Sequence, residues 1–505
     1  MTSEITLERS SETLENPKSK TEIVLAMFRR AKKYLEPTKF KIWVLVATIA
    51  GLVGRIIFVA LAKWHQPVWN DGGWYHCEAQ TLVQGHGFKQ IGVFMSDNGA
   101  HIGCVATSNP TAAHPPLWTL FLAVADIFHF QTLGTQLILN CILGALAIPI
   151  MAMVGKRVAG NAAGILTAFF VAAYPGGWVE TGQLTAETLG LVTACLVILG
   201  TYRLVERPSI LRAAELGLWC ALAALTRSEL ALAVVLIGLL IVGFRPFLKI
   251  KLKDRFILAG TLIISTLMVM SPWLIRNNLV FSSPTFTSTE LGFTLDMANC
   301  NDTYFAPPNA SFSVKSTSFE GYWTLACSMQ QPSSGDESYD NTYYTNHALT
   351  YIKANLGRVP TIMTIRVLRL WQGFDPIGQV RLDFESEQWN YPANLAKMIS
   401  FYAMIPFIII AFRRLRKTST LAFPLYVFPI IATISVAFIT EDPRYRVMSE
   451  GGICLLAAIG VLAYIDRKRP NKAQLLQLSP KLNFADGSAT KLALPKLNIE
   501  PSEKV

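Results

Sequence analysis

Residues 69–88 read WNDGGWYHCEAQTLVQGHGF and come shortly after the first long apolar run of the chain, at about residues 41–62. This stretch sets Asp71 beside two glycines and among aromatic side chains, with a second acid, Glu78, further on. At a membrane surface, a carboxylate among rings is suited to take a proton from the hydroxyl of a sugar-sized molecule. An ordinary polar loop has the same composition, so the choice between the two interpretations depends on the rest of the chain.

The composition indicates a protein that crosses the membrane several times. The chain has 505 residues, of which 51% are hydrophobic and 16% charged, and its mean hydropathy is +0.36. A soluble protein carries about 25% charged residues. The first forty residues are polar and contain no short apolar core followed by a cleavage site, so we expect no cleavable signal peptide.

The net charge of +11 is informative by position. Basic clusters such as Arg413–Lys417 border the apolar runs and recur after every second run, which is the positive-inside pattern. It predicts that both termini are cytoplasmic and that residues 69–88 lie outside the cell membrane. The basic surplus then faces the lipid headgroups of the cytoplasmic leaflet, and no nucleic-acid-binding motif accompanies it.

The apolar runs predict an all-α polytopic membrane protein with about ten transmembrane helices. An apolar run of about a dozen residues after Pro116 is too short to cross and predicts a helix lying on the outer surface. We see no internal repeat. The predicted spans are 41–62, 132–154, 158–175, 185–204, 211–226, 229–244, 256–275, 395–412, 419–439 and 447–465.

These spans divide the chain into five parts. The predicted parts are a cytoplasmic tail with an amphipathic helix at 21–35 (1–40), a transmembrane module (41–275) that contains the first external loop (63–131), an extracytoplasmic segment (276–394), the last three spans (395–465) and a disordered cytoplasmic tail (466–505).

The eight cysteines divide evenly between loops and spans. Four lie in predicted external loops, where disulfides Cys77–Cys104 and Cys300–Cys327 would form if the outside is oxidising; unpaired thiols are the alternative. The other four lie in apolar spans. No His/Cys cluster has the spacing of a zinc site.

Nearly all charges that do not flank a span on the cytoplasmic side fall on the predicted outer face. A pump or channel places ionisable groups near the bilayer midplane or along a pore, whereas an enzyme acting on a lipid headgroup needs them at one interface. The pattern favours the enzyme. Four arginines on this face could bind phosphate, because a guanidinium group matches the geometry of phosphate oxygens. Alternatively, each could extend to the membrane interface or pair with a neighbouring acid. The four are Arg227, Arg276, Arg444 and Arg446.

The order of the polar motifs resembles the GT-C superfamily of polytopic glycosyltransferases, specifically the group similar to protein O-mannosyltransferases and the lipid A aminoarabinose transferase. The resemblance covers about residues 40–465. The matching motifs are Asp71 before Tyr75-x-x-x-Ala79-x-x-Leu82-x-x-Gly85-x-Gly87-Phe88, His114-Pro115-Pro116-Leu117, Glu187 (or Glu180) after the third span, Leu225-x-Arg227-x-Glu229, Pro272-Trp273-x-x-Arg276-Asn277, Arg366-x-x-Arg369-x-Trp371 and Arg444-Tyr445-Arg446.

The resemblance implies a GT-C fold and an inverting transfer of a sugar from a polyprenyl-phosphate donor to a glycan, lipid or protein acceptor at the extracytoplasmic face. Asp71 would be the general base. The donor phosphate would be held by Arg276, Arg444, Arg446 or Arg227. Substrate-binding residues would be Trp74, Tyr75, His114, Glu180, Glu187, Arg366 and Arg369. The first loop has Asn70-Asp71-Gly72 instead of the acid-x-acid pair of some members, so a metal-independent reaction without a cofactor is expected.

Three other functions remain open at the level of sequence. One is an oligosaccharide ligase that uses a lipid-diphosphate donor, and another is a flippase or transporter of lipid-linked sugars. The third is a non-catalytic membrane scaffold with the same fold. Span centres poor in charge and the lack of a repeat weigh against the transporter.

Overall fold

A computed structural model describes residues 39–64, 70–96, 101–243, 248, 250–305, 320–328, 334–417 and 421–467. This part of the chain is mainly helical, with one antiparallel hairpin of strands β1 (Lys89–Ser96) and β2 (His101–Pro110). The helices are α1 (Phe40–Ala62), α2 (Asn70–Val83), α3 (Leu117–Ile127), α4 (Leu133–Ala173), α5 (Pro175–Thr181), α6 (Glu187–Glu206), α7 (Ile210–Thr226), α8 (Leu232–Gly243), α9 (Leu252–Val280), α10 (Leu291–Met297), α11 (Asn301–Phe305), α12 (Glu337–Ala354), α13 (Val359–Leu370), α14 (Pro376–Ser386), α15 (Tyr391–Arg416), α16 (Val427–Phe438) and α17 (Val447–Arg467).

Six of the described helices are long and apolar enough to cross a membrane, namely α1, α4, α6, α9, α15 and α17 with the turn before it. The prediction of a multi-pass, helical membrane protein is therefore confirmed. Three predicted spans, 211–226, 229–244 and 419–439, correspond to the shorter helices α7, α8 and α16, of 17, 12 and 12 residues. The sidedness of the termini and the count of ten crossings stay predictions.

Helix α4 contains two of the predicted spans in one element. Its 41 residues would extend about 60 Å as a straight helix, twice the thickness of the hydrocarbon core. The backbone leaves the helical conformation at Ala159 and at Gly160, whose φ of 86° suits a residue without a Cβ. The break between the spans is thus at 159–160, slightly beyond the predicted position.

The bundle core is centred on α6, which contacts α4, α7 and α17. Around it, α1 packs on α4, α7 on α9, and α15 on α17. The outward faces of α1 and α9 expose large apolar side chains, including Leu45, Ile49, Ile264 and Met268. Apolar surface of this extent is typical of helices that contact lipid.

The predicted first external loop, 63–131, contains regular secondary structure in three places. Residues 70–83 form α2, with Asp71 in its first turn, where an acid is favoured by the helix dipole. Residues 89–96 and 101–110 pair as the antiparallel strands β1 and β2, which were not predicted because glycines interrupt their alternation of apolar and polar residues. Residues 117–127 form the short helix α3, as predicted.

Both predicted cysteine pairs are disulfide-bonded in the structure. Cys77–Cys104 joins α2 to β2, and Cys300–Cys327 links the start of α11 to a 3₁₀ turn at Leu325–Cys327. The other four cysteines are free and buried in helices, as expected. The predicted amphipathic helix at 21–35 and the tail beyond 467 lie outside the described residues.

Helices α15 and α17 approach closely at Gly460, where an added Cβ would lie 1.9 Å from the carbonyl oxygen of Phe407. We expect Gly460→Ala to separate the two helices and to lower the free energy of unfolding by about 1–3 kcal/mol, the usual cost of overpacking. Thermal unfolding of the purified protein in detergent measures the effect.

The matched control is Gly260→Ala in α9, because no atom lies within 4 Å of the added Cβ there. Alanine has the higher helix propensity, so this control should keep or raise the Tm. Equal melting temperatures for the two variants would contradict the close approach of α15 and α17.

Candidate active site

A cavity of about 490 Å³ lies where α2, the start of α6, the α7–α8 connection, α10 and the turn before α17 meet. Its volume is within the range of small-molecule sites, about 300–1,000 Å³. Six of the residues predicted from the sequence line it: Asp71, Tyr75, His114, Glu187, Arg227 and Arg444. These positions are separated by up to several hundred residues in the chain, and the fold brings them to one place.

The ion pair of Asp71 and Arg444 lies at one side of the cavity. Arg444 Nη1 donates to Asp71 Oδ2 at 2.7 Å, between residues 373 positions apart. Arg444 Nε donates to Asp442 Oδ2 at 2.7 Å, and the Arg444 backbone N–H donates to Asp442 Oδ1 at 2.8 Å. Asp442 thereby caps the 3₁₀ turn Pro443–Arg446 and fixes the direction of the guanidinium.

Arg227 forms the second cationic group of the cavity. Its Nε donates to Glu229 Oε1 at 2.5 Å, its Nη1 donates to Glu187 Oε1, and its guanidinium lies 4.8 Å from the centre of the Tyr445 ring. The same Glu187 oxygen is 3.8 Å from Arg444 Nε. Glu187, which is buried, therefore connects the two guanidinium groups.

His114 also lines the cavity, and its imidazole pairs with an acid. Its Nδ1 is 2.7 Å from Glu290 Oε2, and its ring packs 4.6 Å from that of Trp74 and 4.8 Å from that of Tyr75. Burial lowers the pKa of His114, but the charges of Glu290 and Asp71 outweigh it and raise the pKa to about 9. His114 is therefore cationic at neutral pH.

The carboxyl group of Asp71 is ionised at neutral pH. Burial raises its pKa, but the nearby charges of Arg444 and His114 have the larger combined effect and lower the pKa to about 2. About a third of the side chain, 34%, is exposed. The cavity therefore holds a carboxylate that is accessible and flanked by two positive charges.

Two acids of the cavity come from the predicted external segment and were missed in the sequence. Glu290 pairs with His114, and Glu387 Oε2 is 3.7 Å from Arg444 Nη1. Burial raises the pKa of Glu387 well above its ordinary value, and the charge of Arg444 opposes that shift. The sequence has eleven acids between Ser282 and Asn394 and no local signal that distinguishes these two.

Two of the predicted phosphate ligands, Arg276 and Arg446, are not among the residues that line the cavity. Arg276 donates from Nη1 to Thr111 O at 2.7 Å and from Nη2 to Phe88 O at 3.0 Å. Arg446 is buried, 4.4 Å from the centre of the Phe401 ring. Two of the four predicted arginines, Arg227 and Arg444, thus line the cavity, and the other two contact backbone carbonyl groups or an aromatic ring outside its lining.

The remaining predicted substrate residues also lie away from the cavity lining. Arg366 donates to Ala298 O, and Arg369 donates to Glu320 O at 2.9 Å, so both connect α13 to earlier parts of the predicted external segment. Glu180 is buried 3.7 Å from Lys397 Nζ, which leaves Glu187 as the acid at the cavity. Trp74 does not line the cavity, but its ring packs on the rings of His114 and Tyr75, which do.

Within the described ranges, no group of three or more His, Cys, Asp or Glu residues has a geometry that could hold a metal ion. The expectation of a metal-independent reaction stays a prediction.

Residues 113–275 match the family model described as Dolichyl-phosphate-mannose-protein mannosyltransferase. The structure is similar to that of the oligosaccharyltransferase of Archaeoglobus fulgidus in the apo form, with a TM-score of 0.50 and 11% sequence identity over 86% of this chain and 51% of that chain. The protein has the GT-C fold. The resemblance to this superfamily is therefore confirmed.

Two further structures are similar to this GT-C chain at lower scores. The A. fulgidus oligosaccharyltransferase in complex with an inhibitory peptide and a dolichol-phosphate has a TM-score of 0.47 and 14% identity, over 90% of this chain and 53% of that chain. ArnT from Cupriavidus metallidurans bound to undecaprenyl phosphate has a TM-score of 0.37 and 14% identity, over 83% and 77%. The chain spans about half the length of the first matched structures, 51%. No curated protein sequence matches it.

The paired state of His114 predicts a pH-dependent stability. Because its folded pKa of about 9 is above the ordinary 6.5, the pair stabilises the fold fully below pH 6.5, and this contribution is lost as the pH rises through 9. We therefore expect the Tm difference between wild type and His114→Gln to be largest at about pH 6 and smallest at about pH 10.

Thermal unfolding at a series of pH values measures this difference. His86→Gln, at an exposed position after α2, is the control and should give a Tm difference that does not follow this profile. A constant Tm difference for His114→Gln between pH 6 and 10 would contradict the cationic pair.

Proposed function

We propose that this GT-C protein transfers a sugar from a polyprenyl-phosphate donor to a hydroxyl group of an acceptor, with inversion at the anomeric carbon and Asp71 as the general base. One observation carries the proposal: an ionised, accessible carboxylate and two guanidinium groups converge in a cavity of about 490 Å³ at the ends of apolar helices. The matched family model describes transferases that use a dolichyl-phosphate sugar, a donor of the same chemical class.

The proposed reaction is a single displacement. The acceptor oxygen attacks the anomeric carbon while its proton passes to Asp71, and the bond between that carbon and the phosphate oxygen breaks with its electron pair on the phosphate. A carboxylate within hydrogen-bond reach of the hydroxyl contributes a rate factor of about 10²–10⁴. Attack on the side opposite the leaving group inverts the configuration.

Arg227 and Arg444 are the proposed phosphate ligands. The hydrogen bonds that they make within the described part of the chain use Nε and Nη1 of each, so Nη2 of each remains for a ligand. Guanidinium groups bind phosphate oxygens with good geometry and stabilise the negative charge of a departing phosphate. The cationic His114 adds a third positive charge at the same cavity.

The acids of the cavity have a complementary part in the proposal. Glu187 and Asp442 hold the two guanidinium groups in place, and Glu387 and Glu290 extend the polar wall over the sugar. Phe286, Phe293 and Trp323 line the cavity too and offer the apolar and aromatic surface on which sugar rings pack. We propose that the site faces the extracytoplasmic side, in agreement with the positive-inside pattern.

We expect Asp71→Asn to lower kcat by about 10² or more, because the amide cannot accept the proton. Turnover of a synthetic polyprenyl-phosphate sugar by the purified protein in lipid nanodiscs measures the effect. Glu78→Gln is the matched control, since Glu78 is a buried acid of the same helix that accepts from Thr119 Oγ1 and does not line the cavity.

The control should retain its activity, and both variants should keep a single melting transition. Full activity of Asp71→Asn would contradict the role of the base. The same assay with a lipid-diphosphate oligosaccharide tests the class of donor, and preference for that substrate would contradict the monophosphate donor.

A further inference from the structure

Arg276 contacts the segment that leads into the cavity, at the base of the hairpin. Phe88 and Thr111 are paired there, with the Thr111 N–H donating to Phe88 O at 3.2 Å. Arg276 donates to the carbonyl groups of both residues. Its guanidinium also lies 4.9 Å from the centre of the Trp273 ring and 5.4 Å from that of Phe281, so it is held among rings beside the hairpin.

Glu337, the first residue of α12, contacts the same segment by its side chain. Its Oε1 accepts from Thr111 Oγ1 at 2.6 Å, and its Oε2 accepts from the Ala112 N–H and from Thr289 Oγ1, each at 2.8 Å. Charge-assisted hydrogen bonds of this kind are stronger than neutral ones. One carboxylate therefore joins three parts of the chain: residues 111–112, residue 289 and the start of α12.

Residues 111–114 and 287–290 run side by side between these two contacts. The Thr289 N–H donates to Ala112 O at 2.9 Å, and Ser288 Oγ donates to Ala113 O. The next residues along the two segments are His114 and Glu290, which form the ion pair in the cavity. Any shift of either segment therefore moves this pair relative to Asp71.

We propose that Arg276 and Glu337 are positioning residues of the active site, which hold residues 111–114 so that the His114–Glu290 pair stays beside Asp71. The effect on catalysis rests on the proposed function, whereas the effect on His114 itself does not. Arg276, although it belongs to a motif that suggested a phosphate ligand, acts through the Thr111 carbonyl group. Glu337 acts through Ala112 and Thr289.

The first test measures the environment of His114 and requires no donor. The charged groups that act on His114 are Glu290, Asp71 and Glu78, and the Trp74 and Tyr75 rings cover it. Of the two protonation states of a histidine side chain, diethyl pyrocarbonate modifies only the neutral one. We therefore expect wild-type His114 to react slowly at pH 7.5, and Glu337→Gln and Arg276→Gln to react about tenfold faster, as for a pKa lower by about one unit.

Mass spectrometry of the modified peptide gives the rate for His114 alone. Asp336→Ala is the matched control, because Asp336 caps the same helix and accepts from the Ser338 N–H at 2.9 Å without contacting residues 111–114. Glu337→Asp keeps the charge and should restore part of the protection. An unchanged His114 rate in both Gln variants, or an equal increase in Asp336→Ala, would overturn the positioning role.

The second test separates positioning from phosphate binding at Arg276. We expect Arg276→Gln to lower kcat about tenfold, to leave the donor KM within about twofold, and to move the alkaline limb of the pH–rate profile to lower pH. A donor KM raised about tenfold with unchanged kcat would overturn the proposal, because a phosphate ligand behaves in that way. If the rate of His114 modification changes as expected but the protein turns over no donor, the positioning role is supported and the proposed function is wrong.

Discussion

The ion pair of Asp71 and Arg444 joins α2, near the start of the chain's described part, to the 3₁₀ turn that precedes α17. Its two residues are 373 positions apart, so it exists only when the helix ends between them have been assembled around α6. Charges removed from water are costly unless partners satisfy them. Here Asp442 pairs with Arg444, and Glu187 lies between Arg444 and Arg227 and pairs with both. The cavity depends on this network.

The network also determines the chemical state of the cavity. The same Arg444 that would bind a phosphate lowers the pKa of Asp71. The charges of Arg444 and His114 together outweigh the effect of burial, which raises this pKa. A weakly basic carboxylate is ionised at any physiological pH but accepts a proton less readily. A donor phosphate bound at Arg444 Nη2 would share the positive charge of the guanidinium and weaken this ion pair, so donor binding would increase the basicity of Asp71. Substrate binding and activation of the base would then be one event.

The fold was predictable because charge and hydropathy act locally. The apolar runs predicted the helical membrane class, and the motif order brought five charged residues of the cavity into one hypothesis, Asp71, His114, Glu187, Arg227 and Arg444. The hairpin was missed because its alternation is weak. The place of each arginine was not predictable, because it depends on contacts such as that of Arg276 with Thr111 O, between residues 165 positions apart.

In the proposed mechanism, Arg227 and Arg444 bind the donor phosphate beside Asp71. An electron cryo-microscopy structure of the full chain in nanodiscs, with a non-hydrolysable polyprenyl phosphonate sugar, tests it most directly. We expect phosphonate density within hydrogen-bond distance of both guanidinium groups, about 2.7–3.2 Å, and the anomeric carbon facing Asp71. Phosphonate density at Arg276 or Arg446, with the cavity free of the sugar, would contradict it.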